Sequence, residues 1–299
     1  MRIGKKTKAL ALGGVLMIAV LGITEVLARV IPRDVPVREK HEEGTLFERD
    51  GDLSYRLVAD HTIPAQQAWD GKELYSVTYR IDADGRRRTV SPQGAAPTQC
   101  ALFLGDSITF GYGLEDEQSV ASRVAAVAPT YKVRNFGVPG WGPHQSLALL
   151  ESGKLAEEVT ERGGFAVYTL IDAHIRRCIG SMREMSWWGR AGPYYELSSD
   201  GAARRLGSFD TGRPWTTRAY VALSKSRALQ RFGVEVPALR AEHFDLLAAV
   251  LAGCRDRLRE QFGIERFYVF VMPETTRAPR TVPRLEQRGL GVLDYSTRT

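Results

Sequence analysis

Short apolar runs alternate with helix-like segments from residue 99 to the end of the chain, and this alternation limits the fold more than any other feature. Five runs have the length and composition of buried strands: QCALFLG, YKVRNFG, FAVYTLI, RFYVFVM and LGVLDYS. Segments with helical spacing lie between them, the longest being ALRAEHFDLLAAVLAGCRDRLREQFG. Alternating strands and helices form βαβ units, so the sequence predicts a mainly parallel sheet with helices on both faces.

The amino terminus indicates export. The stretch MRIGKKTK precedes ALALGGVLMIAVLGIT, sixteen residues without a charge, and Glu25 follows. A positive head before an apolar run is typical of a cleaved signal peptide or an uncleaved signal anchor. The run is shorter than the about 20 apolar residues of a full span, but Val26-x-Ala28 is a poor cleavage site. We therefore favour an inner-membrane anchor over residues 1–30, with the rest of the chain in the periplasm or outside the cell.

Charge and cysteine content exclude several classes of function. The formal charge is +6, from 41 basic and 35 acidic residues, and four of the basic residues lie in the first eight positions. The other basic residues are scattered, so no nucleic-acid partner is expected. The three cysteines are far apart and form no CxxC motif, which argues against a zinc site, a redox motif or a disulfide framework, although one disulfide is possible.

Residues 31–98 differ from the rest of the chain in composition. They are rich in charged residues, proline and turn residues. Only LYSVTYRIDADGRRRTV alternates, and its Asp-Gly pair predicts a hairpin or two short strands. We expect an extended, partly β lead-in between the membrane and the domain.

Residues 179–236 interrupt the alternation and form an insertion. Within them, YYELSSDGAARRL predicts a hairpin. An insertion after the carboxyl end of a strand lies over the ligand crevice of an α/β sheet. Two interpretations stay open: its aromatic side chains line a binding surface, or they form the core of a self-packed subdomain. The aromatic residues are Trp187, Trp188, Tyr194, Tyr195 and Trp215.

A serine follows the first buried strand, in CALFLGDSITFGYG. Ser107 stands where open α/β sheets bind ligands, and the glycines around it allow a sharp turn. Helical residues after it would direct backbone N–H groups at a developing oxyanion. The spacing is neither G-x-S-x-G nor a phosphate-binding loop. The residues alone leave two interpretations, a catalytic nucleophile and a strand-to-helix turn that contains a serine.

Two segments resemble the SGNH/GDSL hydrolases. FLGDSITFGYGLEDEQS is similar to the first block of that family, in which the serine of Gly-Asp-Ser is the nucleophile. VRNFGVPGWGPHQ is similar to the second block, and Gly140 matches its oxyanion-binding glycine. The resemblance extends from about residue 99 to the end of the chain. The lead-in is also similar to the region before this domain in membrane-anchored bacterial members.

The resemblance implies a flavodoxin-like three-layer α/β/α sandwich. It implies ester hydrolysis or acyl transfer through an acyl-serine intermediate, with neither a metal nor an organic cofactor. Ser107 would attack the ester carbonyl and give its proton to a histidine. The backbone N–H groups of Ser107 and Gly140, with an asparagine from a third block, would hold the oxyanion. Asp106 is expected to be structural.

Two departures from the family pattern affect the chemistry. In the third block, Ala173 takes the place of the asparagine. His174 or a backbone amide would then have to donate the hydrogen bond to the oxyanion. Alternatively, His174 is a polar residue at the strand end that bonds to a nearby carbonyl. The family base lies in a carboxyl-terminal Asp-x-x-His block, whereas no histidine follows His243. We expect either a chain truncated relative to the full enzyme or a catalytically degenerate member. His144 lies in the second block and not at the position of the family base.

Three functions follow from these expectations. The first is an extracytoplasmic serine esterase or acyltransferase acting on O-acyl esters, above all acetyl esters of glycans. The second is a degenerate SGNH-fold subunit that binds glycan or partner proteins at the membrane. A third, a lipase, is suggested only by the closeness of a membrane.

Overall fold

Twelve strands and twelve helices make up the described part of the chain. The computed structural model describes residues 5–32, 38–92, 97–186 and 189–298. The strands are β1 (Arg38–Glu42), β2 (Phe47–Asp50), β3 (Ser54–Leu57), β4 (His61–Trp69), β5 (Lys72–Ile81), β6 (Gln99–Gly105), β7 (Tyr131–Gly137), β8 (Gly164–Leu170), β9 (Pro193–Leu197), β10 (Ala203–Ser208), β11 (Arg266–Val271) and β12 (Gly291–Asp294). The helices are α1 (Lys5–Val30), α2 (Ser107–Phe110), α3 (Val120–Val127), α4 (Pro143–Glu151), α5 (Leu155–Glu158), α6 (Ala173–Cys178), α7 (Met182–Met185), α8 (Phe209–Gly212), α9 (Pro214–Ser224), α10 (Arg227–Arg231), α11 (Ala241–Phe262) and α12 (Ala278–Gln287).

A five-stranded parallel sheet lies at the centre of the fold. Its order is β12-β11-β8-β6-β7, and every pairing within it is parallel. The predicted parallel sheet is therefore confirmed. Gly105 lies opposite Gly137, and the N–H of Val138 donates to the carbonyl of Gly105 at 3.2 Å. Because parallel strands end at the same edge, the residues after β6, β7 and β8 are neighbours.

The two faces of the sheet carry different helices. On one face, Leu102, Ala166 and Val269 belong to the main core, which α4 and α11 complete. On the other face, Ala101 and Phe103 pack against α3. Helices therefore lie on both sides of the sheet, as predicted. The segment HQSLALLESGKLAEEVTER, residues 144–162, has helical spacing in the sequence, but most of it forms two helices, α4 and α5. Gly153 lies between them with a φ of +72°, which favours glycine.

The amino-terminal helix α1 is long and apolar enough to cross a membrane. Residues Leu12–Val30 have a mean hydropathy of 1.8, and none of that window is buried within the protein. A signal sequence near the amino terminus would have the same length and composition. Near its end, α1 contacts α10 of the insertion through Glu25.

The lead-in contains β strands, as expected, but these strands form sheets that pack on the domain. Strands β1, β4 and β5 form an antiparallel sheet, and β2 pairs with β3. Arg87 and Asp116 form an ion pair at 2.9 Å with both side chains fully buried. The guanidinium of Arg87 also stacks on Tyr79 and Phe110, at 4.7 and 4.9 Å from the ring centroids. These contacts join the lead-in to the loop that follows α2.

The insertion contains the predicted hairpin, formed by β9 and β10. Met185, Tyr194 and Phe209 form a small core of their own. Tyr195 belongs to the main core instead, while Trp215 is 77% exposed. The predicted aromatic residues Trp187 and Trp188 lie outside the described residues. The three cysteines are free and buried.

Candidate active site

Ser107 begins the short helix α2, immediately after β6, and its side chain is half-buried. Asp106 caps this helix, since its Oδ1 accepts the N–H of Ile108 at 3.0 Å. Gly105 has a φ of +151°, and a Cβ there would lie 2.2 Å from Oγ1 of Thr109. The turn that presents Ser107 at the end of the strand therefore requires glycine at position 105.

The loop after β7 is tied to α2 by a buried asparagine. Nδ2 of Asn135 donates to the carbonyl of Thr109 at 2.9 Å, and its Oδ1 accepts the N–H of Gly137 at 2.9 Å. Both ends of this side chain are therefore occupied inside the protein. The contact fixes the start of the glycine-rich loop relative to the helix that carries Ser107.

Gly140 lies in that loop with a φ of +86°. A Cβ at Gly140 would lie 2.5 Å from Oη of Tyr55, which itself donates to the carbonyl of Pro139 at 2.9 Å. Tyr55 belongs to β3 of the lead-in, so the lead-in supports one side of the candidate site. Positive φ and the close tyrosine together explain why the position holds glycine.

Two backbone amides at this edge have no acceptor among the residues that the structure describes. Neither the N–H of Ser107 nor that of Gly140 donates to another described residue. An unpaired N–H group lowers stability when it is buried away from water. Gly140 is exposed and Ser107 is half-buried, so water can reach these two residues. Free N–H donors in the segments that follow two neighbouring strands are of the kind that can stabilise a developing oxyanion.

A buried charged cluster lies behind the serine. Nη1 of Arg177 donates to Oδ2 of Asp106 at 2.8 Å and to the carbonyl of Trp141 at 3.0 Å. Nε2 of His174 lies 3.2 Å from the same carboxylate oxygen, although its N–H is not well aligned with it. The cluster joins the segments that follow β6, β7 and β8.

His174 does not face the crevice, which departs from the expectation that it donates to the oxyanion. The residue is fully buried. Nε2 approaches Asp106, while Nδ1 lies 3.2 Å from Oη of Tyr168 and accepts the N–H of Ile171 at 3.4 Å. Both ring nitrogens are therefore directed at buried groups, and neither is free to contact a substrate.

The charges in this cluster follow from burial and from Arg177. Burial alone would raise the pKa of Asp106, but the positive charge of Arg177 and the hydrogen bonds to the carboxylate hold that pKa well below its usual range. Burial lowers the pKa of His174 despite the nearby Asp106. At neutral pH we assign a charged Asp106, paired with Arg177, and a neutral His174. Asp106 thus acts as a helix cap and counter-ion, consistent with the structural role expected of it.

A cavity of about 350 Å³ adjoins Gly140 and lies between the second-block loop and the insertion. His144 forms part of its wall, and burial, with His174 and Arg177, lowers the pKa of His144 to about 3. This histidine is therefore neutral at neutral pH. The lining residues are Tyr55, Gly140, His144, Gln145, Arg177, Arg183, Glu184, Met185, Gly189, Gly192 and Phe209. Met185 and Phe209 belong to the small core of the insertion, and they also line the cavity. The insertion therefore forms part of the cavity wall.

None of the five histidines, all of which lie in the described ranges, hydrogen-bonds to Ser107. His144 and His174 are buried in the positions given above. His243 accepts the N–H of Arg240 at 3.1 Å at the start of α11. The remaining two, His41 and His61, belong to the lead-in strands. The described residues therefore place no histidine as the partner of the serine hydroxyl.

Asp172, at the end of β8, also serves a structural contact. Its carboxylate accepts the N–H groups of Thr276 and Arg277 at 3.1 and 3.0 Å, and it pairs with the guanidinium of Arg277 at 3.0 Å. Within the described ranges, no group of three or more His, Cys, Asp and Glu side chains is arranged to hold a metal ion.

Two residues at the site were missed by sequence reasoning. Arg177 lies one helical turn after His174 in the segment AHIRRC, so this spacing could have indicated that both side chains lie on one face. Tyr55 has no comparable signal, because its contact with the Gly140 loop joins residues 84 positions apart.

Comparison with known proteins assigns no family to the chain. No protein-family model matches it. No curated protein matches it significantly either.

Proposed function

We propose that the chain is a membrane-anchored, extracytoplasmic serine esterase or acyltransferase of the SGNH type, with Ser107 as its nucleophile. The observation that carries the proposal is a half-buried serine directly after β6, together with the N–H groups of Ser107 and Gly140, which donate to no other described residue. Counted along the chain, the five parallel strands run 2-1-3-4-5 from the β7 edge. This order supports a flavodoxin-like fold, whose ligands bind at the same edge of the sheet.

The proposed reaction has two steps. Oγ of Ser107 attacks the ester carbonyl carbon, loses its proton, and forms an acyl-serine bond while the alcohol leaves with a proton. The amides of Ser107 and Gly140 hold the negative oxygen of the tetrahedral intermediate. Water then releases the acyl group as an acid, or a sugar hydroxyl takes it up as a new ester.

The substrate class that we propose is an O-acylated glycan, above all an acetyl ester. The cavity beside Gly140 combines aromatic walls at Tyr55 and Phe209 with polar groups at Arg177, Arg183 and Glu184. A few polar groups among aromatic side chains fix the orientation of a bound ligand. This mixture is compatible with a sugar ring, which presents both apolar faces and hydroxyl groups.

A second candidate function, binding without turnover, is favoured by one observation. A serine hydroxyl is a weak nucleophile at neutral pH unless a base accepts its proton, and none of the five histidines bonds to Ser107. The third-block asparagine is also replaced by Ala173, and loss of one oxyanion donor can raise a barrier by roughly 3 to 4 kcal/mol. We therefore expect slow hydrolysis by this chain.

The test compares the detergent-solubilised full chain with its Ser107→Ala variant, using p-nitrophenyl acetate. We expect a slow rate that Ser107→Ala reduces to the background. Ser198→Ala, on the hairpin turn of the insertion, serves as a control and should keep the full rate. Binding of an acetylated oligosaccharide is measured in parallel.

The outcomes separate the two candidates. Equal rates in the wild-type and Ser107→Ala proteins, with the oligosaccharide still bound, would support the non-catalytic candidate. Equal rates without binding would reject both. Rapid turnover that disappears in Ser107→Ala would contradict the expected lack of a base, and His144 would be the next residue to replace.

A further inference from the structure

The carboxyl-terminal end of α1 is attached to the insertion. The carboxylate of Glu25 accepts the Oγ–H of Ser226 at 2.7 Å and the N–H groups of Arg227 and Ala228 at 2.9 and 3.0 Å. Nη1 of Arg231 donates to the carbonyl of Ile31 at 3.1 Å. The contact satisfies N–H groups at the start of α10, which are otherwise without helical partners.

This attachment fixes the depth of α10 relative to a bilayer. The sixteen uncharged residues of α1 end just before Glu25. At 1.5 Å per residue they cover about 24 Å, slightly less than the hydrocarbon core. Glu25 therefore lies where the apolar run gives way to charged residues. With α1 across a bilayer, α10, which is bound to Glu25, would lie at the boundary between membrane and water.

The surface next to this contact has the composition of a membrane interface. We define the α9–α10 segment as residues 211–234. It contains five basic residues, one of which, Arg213, packs inward on Tyr194 and Phe209, and no acidic residue, although Asp210 and Glu235 lie close to its two ends. Trp215 and Phe232 are 77% and 69% exposed, and Leu223 and Val234 are also exposed. The guanidinium of Arg218 lies 5.0 Å from the ring centroid of Trp215.

Exposed aromatic residues and basic residues occur together at bilayer surfaces for a physical reason. Tryptophan and phenylalanine insert at the level of the headgroups, and lysine and arginine attract anionic lipids. In a domain surrounded by water, the same exposed aromatic residues would gain nothing from their position. Charge and apolar surface therefore both match an anionic bilayer.

We propose that the α9–α10 segment lies on the membrane and binds the headgroups of anionic phospholipids, with Trp215 and Phe232 inserted at the interface. The segment thus acts as a second membrane contact beside α1. The proposal depends on α1 spanning the bilayer and not on the esterase chemistry, so the two can fail separately.

The test places a fluorophore on the full chain in liposomes that contain brominated lipids, which quench it on contact. Single cysteines replace Phe232, Val127 on α3, or Leu16 within α1. The three native cysteines are buried and should stay unlabelled in the folded protein. Val127 is 82% exposed and provides an apolar control away from the insertion.

We expect at least half of the fluorescence to be lost at positions 16 and 232, and less than a tenth at position 127. The loss at position 232 should be larger in liposomes with phosphatidylglycerol than in pure phosphatidylcholine. Arg218→Gln combined with Lys225→Gln should remove this difference between the two lipid compositions. The double variant keeps Glu25 and its hydrogen-bond partners.

Three results would overturn the proposal. The first is a label at position 232 that is quenched no more than the label at position 127. The second is a label at position 16 that is not quenched, because α1 would then lie outside the bilayer. The third is quenching at position 232 that does not depend on phosphatidylglycerol, because the contact would then not select anionic lipid.

Discussion

Asp106, the residue before the candidate nucleophile, fixes the position of Ser107 through several contacts. Asp106 caps α2, pairs with Arg177 and contacts His174. Because this carboxylate is buried, removing Arg177 would leave it without its positive partner. The three residues position Ser107 through the backbone, and the groups that would touch a substrate are the hydroxyl of Ser107 and the amides of Ser107 and Gly140.

Gly140→Ala should destabilise the protein and disturb the loop that carries the proposed oxyanion-binding amide. An alanine with positive φ costs roughly 1 to 2 kcal/mol, and its Cβ would overlap Oη of Tyr55. Overpacking of this kind adds about 1 to 3 kcal/mol. Urea unfolding of the detergent-solubilised chain, followed by tryptophan fluorescence, measures the change.

Gly153→Ala is the matched control for this substitution. Its φ of +72° carries a similar backbone cost, but no heavy atom lies within 4 Å of the added Cβ. Gly140→Ala should therefore lower the free energy of unfolding by at least 1 kcal/mol more than Gly153→Ala. Equal losses in the two variants would show that the contact with Tyr55 is not tight.

At the scale of elements, the lead-in and the parallel domain form one packed unit. The guanidinium of Arg87 is enclosed by Tyr79, Phe110 and Asp116. It also donates to the carbonyl of Leu114 at 2.9 Å. The loop between α2 and α3 therefore depends on residues of the lead-in for its position.

Arg87→Met should unfold the protein more readily because it leaves Asp116 buried with fewer positive partners. Breaking a buried pair from one side costs about 3 kcal/mol or more. Arg56→Met, in the same lead-in, removes an exposed pair with Glu48 and should cost less than about 1 kcal/mol. Urea unfolding of both variants measures the difference. Similar losses in the free energy of unfolding would contradict the expected contribution of the buried Arg87–Asp116 pair.

The sequence predicted the strands well because their signal is local. QCALFLG and YKVRNFG occupy the same residues as β6 and β7. The packing of the lead-in could not be predicted in this way, since Arg87 meets Asp116 only after both have folded against Phe110. The orientation of the His174 ring could not be predicted from the sequence either, because it depends on Asp106 and Tyr168 from two other segments.

At the scale of the whole molecule, the proposed orientation in a membrane depends on α1 and on the charges before it. The basic head precedes the apolar helix, and positive residues favour the cytoplasmic side. The large domain, including Ser107 and the cavity beside Gly140, would then lie on the opposite side. The composition of the chain beyond α1 does not by itself fix this orientation.

Fusions after residue 40 should report an extracytoplasmic domain. An alkaline phosphatase fused there should be active, because that enzyme matures only outside the cytoplasm, whereas a cytoplasm-dependent fluorescent reporter should be dark. Replacing Arg2, Lys5, Lys6 and Lys8 with glutamine should weaken this bias. Activity of the cytoplasmic reporter alone would contradict the orientation.

The contact between Glu25 and α10 has a consequence for reach if α1 spans the membrane as proposed. The insertion would then be held close to the lipid surface through three hydrogen bonds to one carboxylate. The cavity that the insertion lines would stay near that surface as well. Ligands attached to the membrane or close to it would therefore reach the cavity more readily than ligands far out in solution.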